Sequence, residues 1–185
     1  MISKDPPCPF EVRVNKVLQT FQTFMEDALQ KSLPELSLAK AQAPNASLRL
    51  LKARLRFEGK DMKAQAFLSC SEDFLQLTCP LTRGGTRHAE PVIKDWLGEL
   101  GNLILGRLKN RLLAHDVTIK ISAPDFEGEW PRPEGAESVS VWFSTEQAVI
   151  GLECLVEGSV PTIGEALPQT AEILPGDAIY RLTDT

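Results

Sequence analysis

The sequence is poor in the residues that build metal centres and nucleophilic sites. It contains two histidines and four cysteines in 185 residues. The cysteines form no C-x-x-C pair: Cys8, Cys70, Cys79 and Cys154. His88 and His115 do not complete the H-x₃₋₅-H spacing of zinc ligands, and no Ser-His-Asp or Cys-His arrangement is indicated. We therefore expect no metal and no cofactor of its own, and cysteines that remain reduced thiols.

Long apolar runs and phosphate-binding loops are also missing. No apolar stretch reaches the roughly 20 residues of a membrane-spanning helix, and the start, MISKDPPCPF, lacks the apolar core of a signal peptide. Gly84-Gly85 does not fit the Walker pattern. These absences predict a cytoplasmic protein without membrane insertion.

An excess of positive charge is likewise lacking. The chain has 20 Lys and Arg against 25 Asp and Glu, a formal net charge of −5, which argues against a general nucleic-acid surface. Lys52, Arg54 and Arg56 give one predicted strand a basic side. We interpret that side as the solvated face of a sheet, so that no nucleic-acid partner is expected.

The sequence does contain one long amphipathic helix, predicted for Pro91–Ala114. At about 1.5 Å per residue it would be roughly 36 Å long, enough to cross a small domain. Apolar residues recur at helical spacing and define one face: Ile93, Leu97, Leu100, Ile104 and Leu108. Pro91 suits a first helical turn because its missing N–H is not needed there.

The other predicted elements surround this helix. A first helix is expected over residues 10–33, a short one between Ser71 and Pro80, and loops over residues 37–45 and 125–136. Alternating apolar and polar residues predict strands, the first two forming a hairpin: residues 51–58, 62–69, 117–122, 139–143 and 149–156. This order predicts an α/β (α+β) two-layer fold, with a mostly antiparallel sheet packed against the long helix and the further helices.

A polar stripe lies opposite the apolar face of the long helix. Asp95, Glu99, Asn102 and Gly106 are spaced 4, 3 and 4 residues apart. Glutamate offers only acceptors, whereas asparagine offers donors and an acceptor, so Glu99 and Asn102 could hold a cation and orient a water molecule. Each helical glycine costs about 1 kcal/mol relative to alanine. We expect internal glycines to permit close packing, whereas Gly106 on the stripe would admit a partner.

This stretch resembles the Glu-x-x-Asn helix of the CheX/CheC chemotaxis phosphatases. The resemblance rests on Glu99-Leu-Gly-Asn102, Leu-Ile-Leu-Gly106, Lys109 and Leu112, followed by Ile119-Lys-Ile-Ser-Ala-Pro124. The best match runs from about Asp95 to Pro124, and a looser one from about Ser47 to Glu157. Two features depart from the family pattern, namely Arg107 after Gly106 and Phe126-Glu-Gly-Glu-Trp130 in place of a short turn.

The resemblance implies an enzyme that hydrolyses the aspartyl phosphate of a CheY-type response regulator in two-component signalling. Asn102 would orient the attacking water, and Glu99 would pair with a lysine of the regulator. Asp95, Gly106 and Lys109 would contact that partner, whose own site would supply Mg²⁺. The family also implies a homodimer; the sheet alone requires either a paired or a protected edge. We predict a single CheX-like domain over residues 1–157 and a C-terminal extension over residues 158–185.

Other interpretations of the same residues stay open. Glu99 and Asn102 could belong to an ordinary solvated helix face, Asp95 could serve the N-terminal helix dipole, and Lys109 with Arg107 the C-terminal dipole. The chain could also be a non-catalytic module that binds regulators or flagellar proteins, or a structural dimerisation domain.

Overall fold

The protein folds as one six-stranded sheet with helices packed on it. The computed structural model describes residues 9–45, 47–60, 62–81, 87–126 and 130–158, of which residues 9–18, 62 and 158 are described by their backbone alone. In chain order the elements are α1 (Pro9–Ser32), β1 (Ala39–Lys40), β2 (Leu50–Gly59), β3 (Met62–Ser71), α2 (Glu72–Thr78), α3 (Glu90–Leu113), β4 (Ile119–Ile121), β5 (Glu137–Ser144) and β6 (Val149–Gly158).

The sheet is antiparallel throughout, with strand order β1-β5-β6-β3-β2-β4. Its inner face carries the alternate apolar residues of β2, which are buried: Ala53, Leu55 and Phe57. Helices α1 and α3 pack on this face and against each other. The predicted two-layer α+β fold with a mostly antiparallel sheet is therefore confirmed.

The start of α2 is fixed where the sheet ends. The Ser71 hydroxyl accepts hydrogen bonds from the backbone N–H groups of Phe74, at 3.3 Å, and Val149, at 3.1 Å. The first is an N-cap contact, which satisfies an N–H group that has no partner within the helix. One side chain thus ends β3, begins α2 and connects both to the start of β6.

The segment that follows β4 first runs along β2, to which Ser122 and Asp125 hydrogen-bond through the backbone, and then crosses the outer face of the sheet. We call it the strap and define it as residues 122–126 and 130–133. The Arg54 guanidinium pairs with the Asp125 carboxylate and lies 5.4 Å from the centre of the Trp130 ring. Trp130 also contacts the Phe67 ring, with centroids 5.8 Å apart. The strap therefore covers the middle of the outer face with aromatic and charged side chains.

Three predictions about local structure were wrong in detail. The loop predicted over residues 37–45 contains β1, which pairs with β5. The strand predicted over residues 117–122 spans only Ile119–Ile121, and it begins late because the Val117 N–H bonds back to the Leu112 carbonyl at the exit of α3. Arg54 is not part of a solvated basic face: its side chain is only 16% exposed, since Asp125 and Trp130 cover it.

Other expectations lie partly outside the described residues. The extension predicted from residue 158 has only Gly158, the last residue of β6, within them. None of the described helices is long and apolar enough to cross a membrane.

Candidate functional site on helix α3

Helix α3 is positioned by contacts that its second turn and the segment just before it make with α2. The Gln76 side chain forms two hydrogen bonds with the His88 backbone: its amide nitrogen donates to the carbonyl at 3.0 Å, and its oxygen accepts from the N–H at 2.9 Å. Further along the helix, the Trp96 indole N–H donates to the Thr78 hydroxyl at 2.9 Å. These contacts fix where α3 begins before it crosses the sheet.

The first turn also contains an ion pair. The Lys94 ammonium lies 3.0 Å from the Glu90 carboxylate. The hydrogen bond from Lys94 and the charge of Lys94 hold the pKa of Glu90 below its ordinary value, and the charge of Arg49 makes a smaller contribution. Both side chains are exposed, so this pair is a surface feature of the helix start.

The apolar face predicted for α3 is buried in full. Ile93, Leu97, Leu100, Ile104 and Leu108 are each at most 1% exposed. A helix with one face buried to this extent has a fixed rotation on the sheet, so its opposite side chains must face outward.

The polar stripe faces outward, as predicted. Asp95, Glu99, Asn102 and Lys109 are exposed and Gly106 is half-buried. Among the residues that the structure describes, Glu99 and Asn102 have no side-chain hydrogen bond or ion pair. Side chains three residues apart on a helix have Cβ atoms about 5–6 Å apart, so one incoming molecule can contact both.

The three glycines of α3 differ in their surroundings. A Cβ atom at Gly98 would lie 2.9 Å from Cζ of Phe126, and one at Gly101 would lie 2.9 Å from Cδ1 of Leu55. A Cβ atom at Gly106 would have no described atom within 4 Å. The first two glycines permit close packing, whereas Gly106 leaves the helix backbone open between Asn102 and Lys109.

The stripe has different borders on its two sides. On one side the strap approaches α3, with Pro124 and Phe126 beside Gly98. On the other, Leu103 is 41% exposed, unlike the large apolar residues of the buried face. The sequence singled out neither border, because no local periodicity shows that the strap returns to this helix.

Positive charge gathers in the last turns of the helix. Arg107 and Lys109 are exposed. Arg111 lies 5.3 Å from the centre of the Phe24 ring of α1, so it is engaged within the protein. The acidic residues of the stripe thus precede Gly106, and the basic residues that remain accessible follow it.

Neither of two concave regions of the molecule includes the stripe. A groove of about 460 Å³ lies at the β2–β3 end of the outer face, lined by Arg56, Lys63 and Lys120 among others. A smaller one of about 150 Å³ lies by Arg49 and His88. Within the described ranges, no three His, Cys, Asp or Glu side chains gather where they could hold a metal ion. The candidate site is thus a row of exposed side chains along a helix outside both grooves, and small ligands are usually bound in concave pockets instead.

No family model and no curated protein sequence matches the chain. Solved structures do. A CheC-like superfamily protein from Shewanella sp. PV-4 matches with a TM-score of 0.62 and 18% identity, covering 75% of this chain and 97% of that one. A chain of the CheX–CheY–BeF₃–Mg²⁺ complex from Borrelia burgdorferi matches with a TM-score of 0.56 and 14% identity, covering 76% and 97%. The FliM middle domain from H. pylori matches with a TM-score of 0.50 and 10% identity, covering 76% and 91%.

These likenesses establish the fold, which is of the CheX/CheC type. The resemblance stated for the sequence is thus confirmed at the level of architecture. The same fold occurs in a protein crystallised with CheY and in a FliM domain. Fold does not by itself determine which activity a chain has, so the function must be argued from the site.

Proposed function

We propose that this protein is a CheX-like phosphatase that hydrolyses the aspartyl phosphate of a CheY-type response regulator. The observation that carries the proposal is the pairing of Glu99 and Asn102, both exposed on one side of α3 and without a described side-chain partner. The open backbone at Gly106 supports it, because a partner surface can approach the helix there. The known complex of a CheX with a CheY gives a structural precedent for the partner.

Asn102 acts in this proposal by orienting water. In the reaction, the oxygen of a water molecule attacks phosphorus and the bond from phosphorus to the aspartyl oxygen breaks, leaving inorganic phosphate and a free carboxylate. Such a transition state needs positioning more than covalent help. An amide can accept a hydrogen bond from the water and donate one to a phosphoryl oxygen, which fixes the line of attack.

Glu99 and its neighbours hold the partner. Glu99 pairs with a lysine of the regulator, and Asp95, one turn earlier, adds negative charge beside it. Lys109 meets acidic groups around the regulator's phosphorylation site. Mg²⁺ is supplied by the regulator and neutralises charge on the phosphoryl group, so this chain contributes position and not a metal.

The alternative is a non-catalytic module of the same fold that binds regulators or flagellar proteins. The observation that favours it is the likeness to the FliM middle domain. In that case the stripe would be a docking surface, and Asn102 would have no role beyond affinity.

The deciding experiment measures the decay of phosphorylated regulators with and without this protein. Several CheY-type regulators are labelled with ³²P from a small phosphodonor, and the protein is added in catalytic amounts. Faster phosphate release with turnover supports the phosphatase. Binding to the phosphorylated form without faster release supports the regulator-binding module. Neither binding to nor faster release from any regulator contradicts the phosphatase and the regulator-binding module, and leaves a flagellar protein as the partner.

A further inference from the structure

Helix α3 has a gap in its side-chain surface beside the candidate site, and the strap fills it. Gly98 directly precedes Glu99 and lies one turn before Asn102. The Phe126 ring approaches so closely that a Cβ at Gly98 would lie 2.9 Å from its Cζ, with Pro124 Cγ at 3.4 Å. Real Cβ contacts are almost never as short as the first of these. The aromatic ring therefore rests directly on the backbone of α3.

The position of Phe126 is set by its neighbour in the chain. Asp125 pairs with Arg54 of β2 as an isolated antiparallel bridge, with two backbone N–H to O=C hydrogen bonds of 2.8 Å each. Successive residues of an extended chain point to opposite faces. Asp125 accordingly meets the Arg54 guanidinium on the outer face of the sheet, while Phe126 turns inward to α3.

Two interactions restrict the Arg54 side chain in its contact with Asp125 on the outer face of the sheet. Arg54 is mostly buried, and it is held both by the Asp125 carboxylate and by the face of the Trp130 ring. Charge-assisted hydrogen bonds of arginine to a carboxylate are strong and directional, and stacking on an aromatic ring restricts the guanidinium further. A contact on one face of the sheet thus fixes the side chain that rests on the helix of the other face.

We propose that Phe126 is a positioning residue for Glu99 and Asn102, with the Arg54–Asp125 pair as its anchor. This inference rests on the proposed function. At Gly98 the ring limits how far α3 can rotate about its axis and how closely it can approach the sheet. It thereby limits the positions of the Glu99 and Asn102 side chains, which meet the regulator. A displacement of about 1 Å at such a site can cost on the order of 10²-fold in rate.

The experiment uses a pair of complementary substitutions in the full-length protein. Gly98→Ala pushes the ring away, although alanine is the better helix former. Phe126→Leu removes the ring atom that the new Cβ would meet. We expect each single variant to lower kcat for regulator dephosphorylation by roughly tenfold, with a smaller rise in KM because Glu99, which also binds the regulator, is displaced together with Asn102. The double variant should recover most of the loss, because the two changes fit each other and their effects do not add.

Two further variants distinguish the Arg54–Asp125 anchor from the other contacts of the strap. Arg54→Gln, which removes the pair with Asp125, should reproduce the loss in kcat. The matched control is Arg132→Gln, which removes the ion pair with Glu153 (3.1 Å) at the other end of the strap and should leave kcat unchanged. Melting temperature is measured on every variant, so that a loss of kcat is distinguished from a loss of folded protein at the assay temperature.

The outcomes distinguish this proposal from the proposed function. If the wild type accelerates phosphate release and the variants behave as expected, the positioning role is supported. If the wild type is active but Gly98→Ala and Phe126→Leu keep its kcat, or the double variant loses as much as the two singles combined, the positioning role is overturned and the phosphatase stands. A wild type without activity on any regulator overturns both.

Discussion

At the scale of single residues, access to the stripe of α3 depends on whether neighbouring side chains cover each helix position. Gly106 has open space where its Cβ would be, whereas Gly101 is in contact with Leu55 and Leu68. Two glycines on one helix thus have opposite surroundings. This difference makes them a matched pair for testing whether α3 receives a partner.

Gly106→Leu should give a stable but inactive protein. The leucine side chain extends into space that no described atom occupies, and leucine is a better helix former than glycine by roughly 0.8 kcal/mol. It would, however, block the approach of a regulator to α3. Melting temperature and regulator-phosphate decay are measured together.

The matched control is Gly101→Leu. Here the new side chain meets Leu55 and Leu68 in the core, and such overpacking costs about 1–3 kcal/mol or more. A Gly106→Leu protein that keeps full activity would contradict partner approach at this residue. One that unfolds as readily as Gly101→Leu would contradict the open surroundings of Gly106.

Asn102→Ala should abolish stimulated hydrolysis without weakening the fold. Asn102 is exposed, and alanine is favoured over asparagine within a helix. We therefore expect an unchanged or slightly higher melting temperature, together with loss of stimulated phosphate release and retained binding to a BeF₃-treated regulator. Retained hydrolysis in this variant would rule out a water-orienting role.

Glu99→Ala should differ from Asn102→Ala in its effect on binding. If Glu99 pairs with a lysine of the regulator, the variant loses affinity as well as rate, and its remaining affinity depends less on salt. Titration of a BeF₃-treated regulator at two ionic strengths measures both. Equal affinity for Glu99→Ala and wild type would exclude that ion pair.

At the scale of elements, two strands of the sheet carry thiols in the core. Cys70 of β3 and Cys154 of β6 are fully buried, and burial raises the pKa of each thiol, with a smaller effect of the Glu153 charge on Cys154. The folded protein therefore keeps these protons at a pH where the unfolded chain, with thiol pKa values of about 8.5, has lost them.

This difference predicts that alkaline pH destabilises the fold. The contribution of the two protonated thiols is fully present below about pH 8.5 and is lost as the pH rises further, by up to about 1.4 kcal/mol per pH unit and thiol. Urea unfolding at about pH 8, 9 and 10 measures the slope. The Cys70→Ala/Cys154→Ala variant, less stable at every pH because of the cavities, should show a flatter slope. Equal slopes in the two proteins would contradict the prediction.

Neighbouring elements pair with β2 and with β5 over different lengths near the two edges of the sheet. On the β2 side, β4 and the start of the strap pair with residues 54–59, with the Ser122 N–H donating to the Arg56 carbonyl at 2.8 Å. On the β5 side, β1 pairs only with Phe143 and Ser144, and the Ala41 N–H bonds to the Trp142 carbonyl. Within the described part of the chain, residues 137–141 have a strand on one side only. Residues 54–58 of β2 are therefore paired on both sides.

At the scale of the whole molecule, the open part of β5 makes a homodimer the expected assembly. Antiparallel pairing of two β5 edges would satisfy backbone groups that have no second strand partner among the described residues. We predict a dimer in sedimentation at micromolar concentration. Ser140→Lys should weaken it, because it adds a positive charge to each of the two paired strands, and like charges close together on paired strands repel. Ser144→Lys, where β1 already pairs with the strand, is the control and should leave the dimer intact. A monomeric wild type would leave only the protected-edge interpretation.

The sequence alone determined the elements whose signal is periodic and local. The apolar residues of α3 recur every three to four positions, so this pattern predicts both the helix and its exposed opposite side, with Glu99 and Asn102. Strict alternation in β2 likewise predicts a half-buried strand. The open surroundings of Gly106 and the tight packing of Gly101 against the sheet follow from which face each glycine occupies.

Only the tertiary structure decided which distant segments meet. Arg54 was predicted to be solvated because its strand position points away from the core, yet a segment some 70 residues later returns to cover it. Phe126 carried no periodic signal, and nothing local relates it to Gly98. Contacts of this kind depend on how the sheet aligns its strands, and the free energy of burying an aromatic ring or pairing a charge is gained only after that alignment exists.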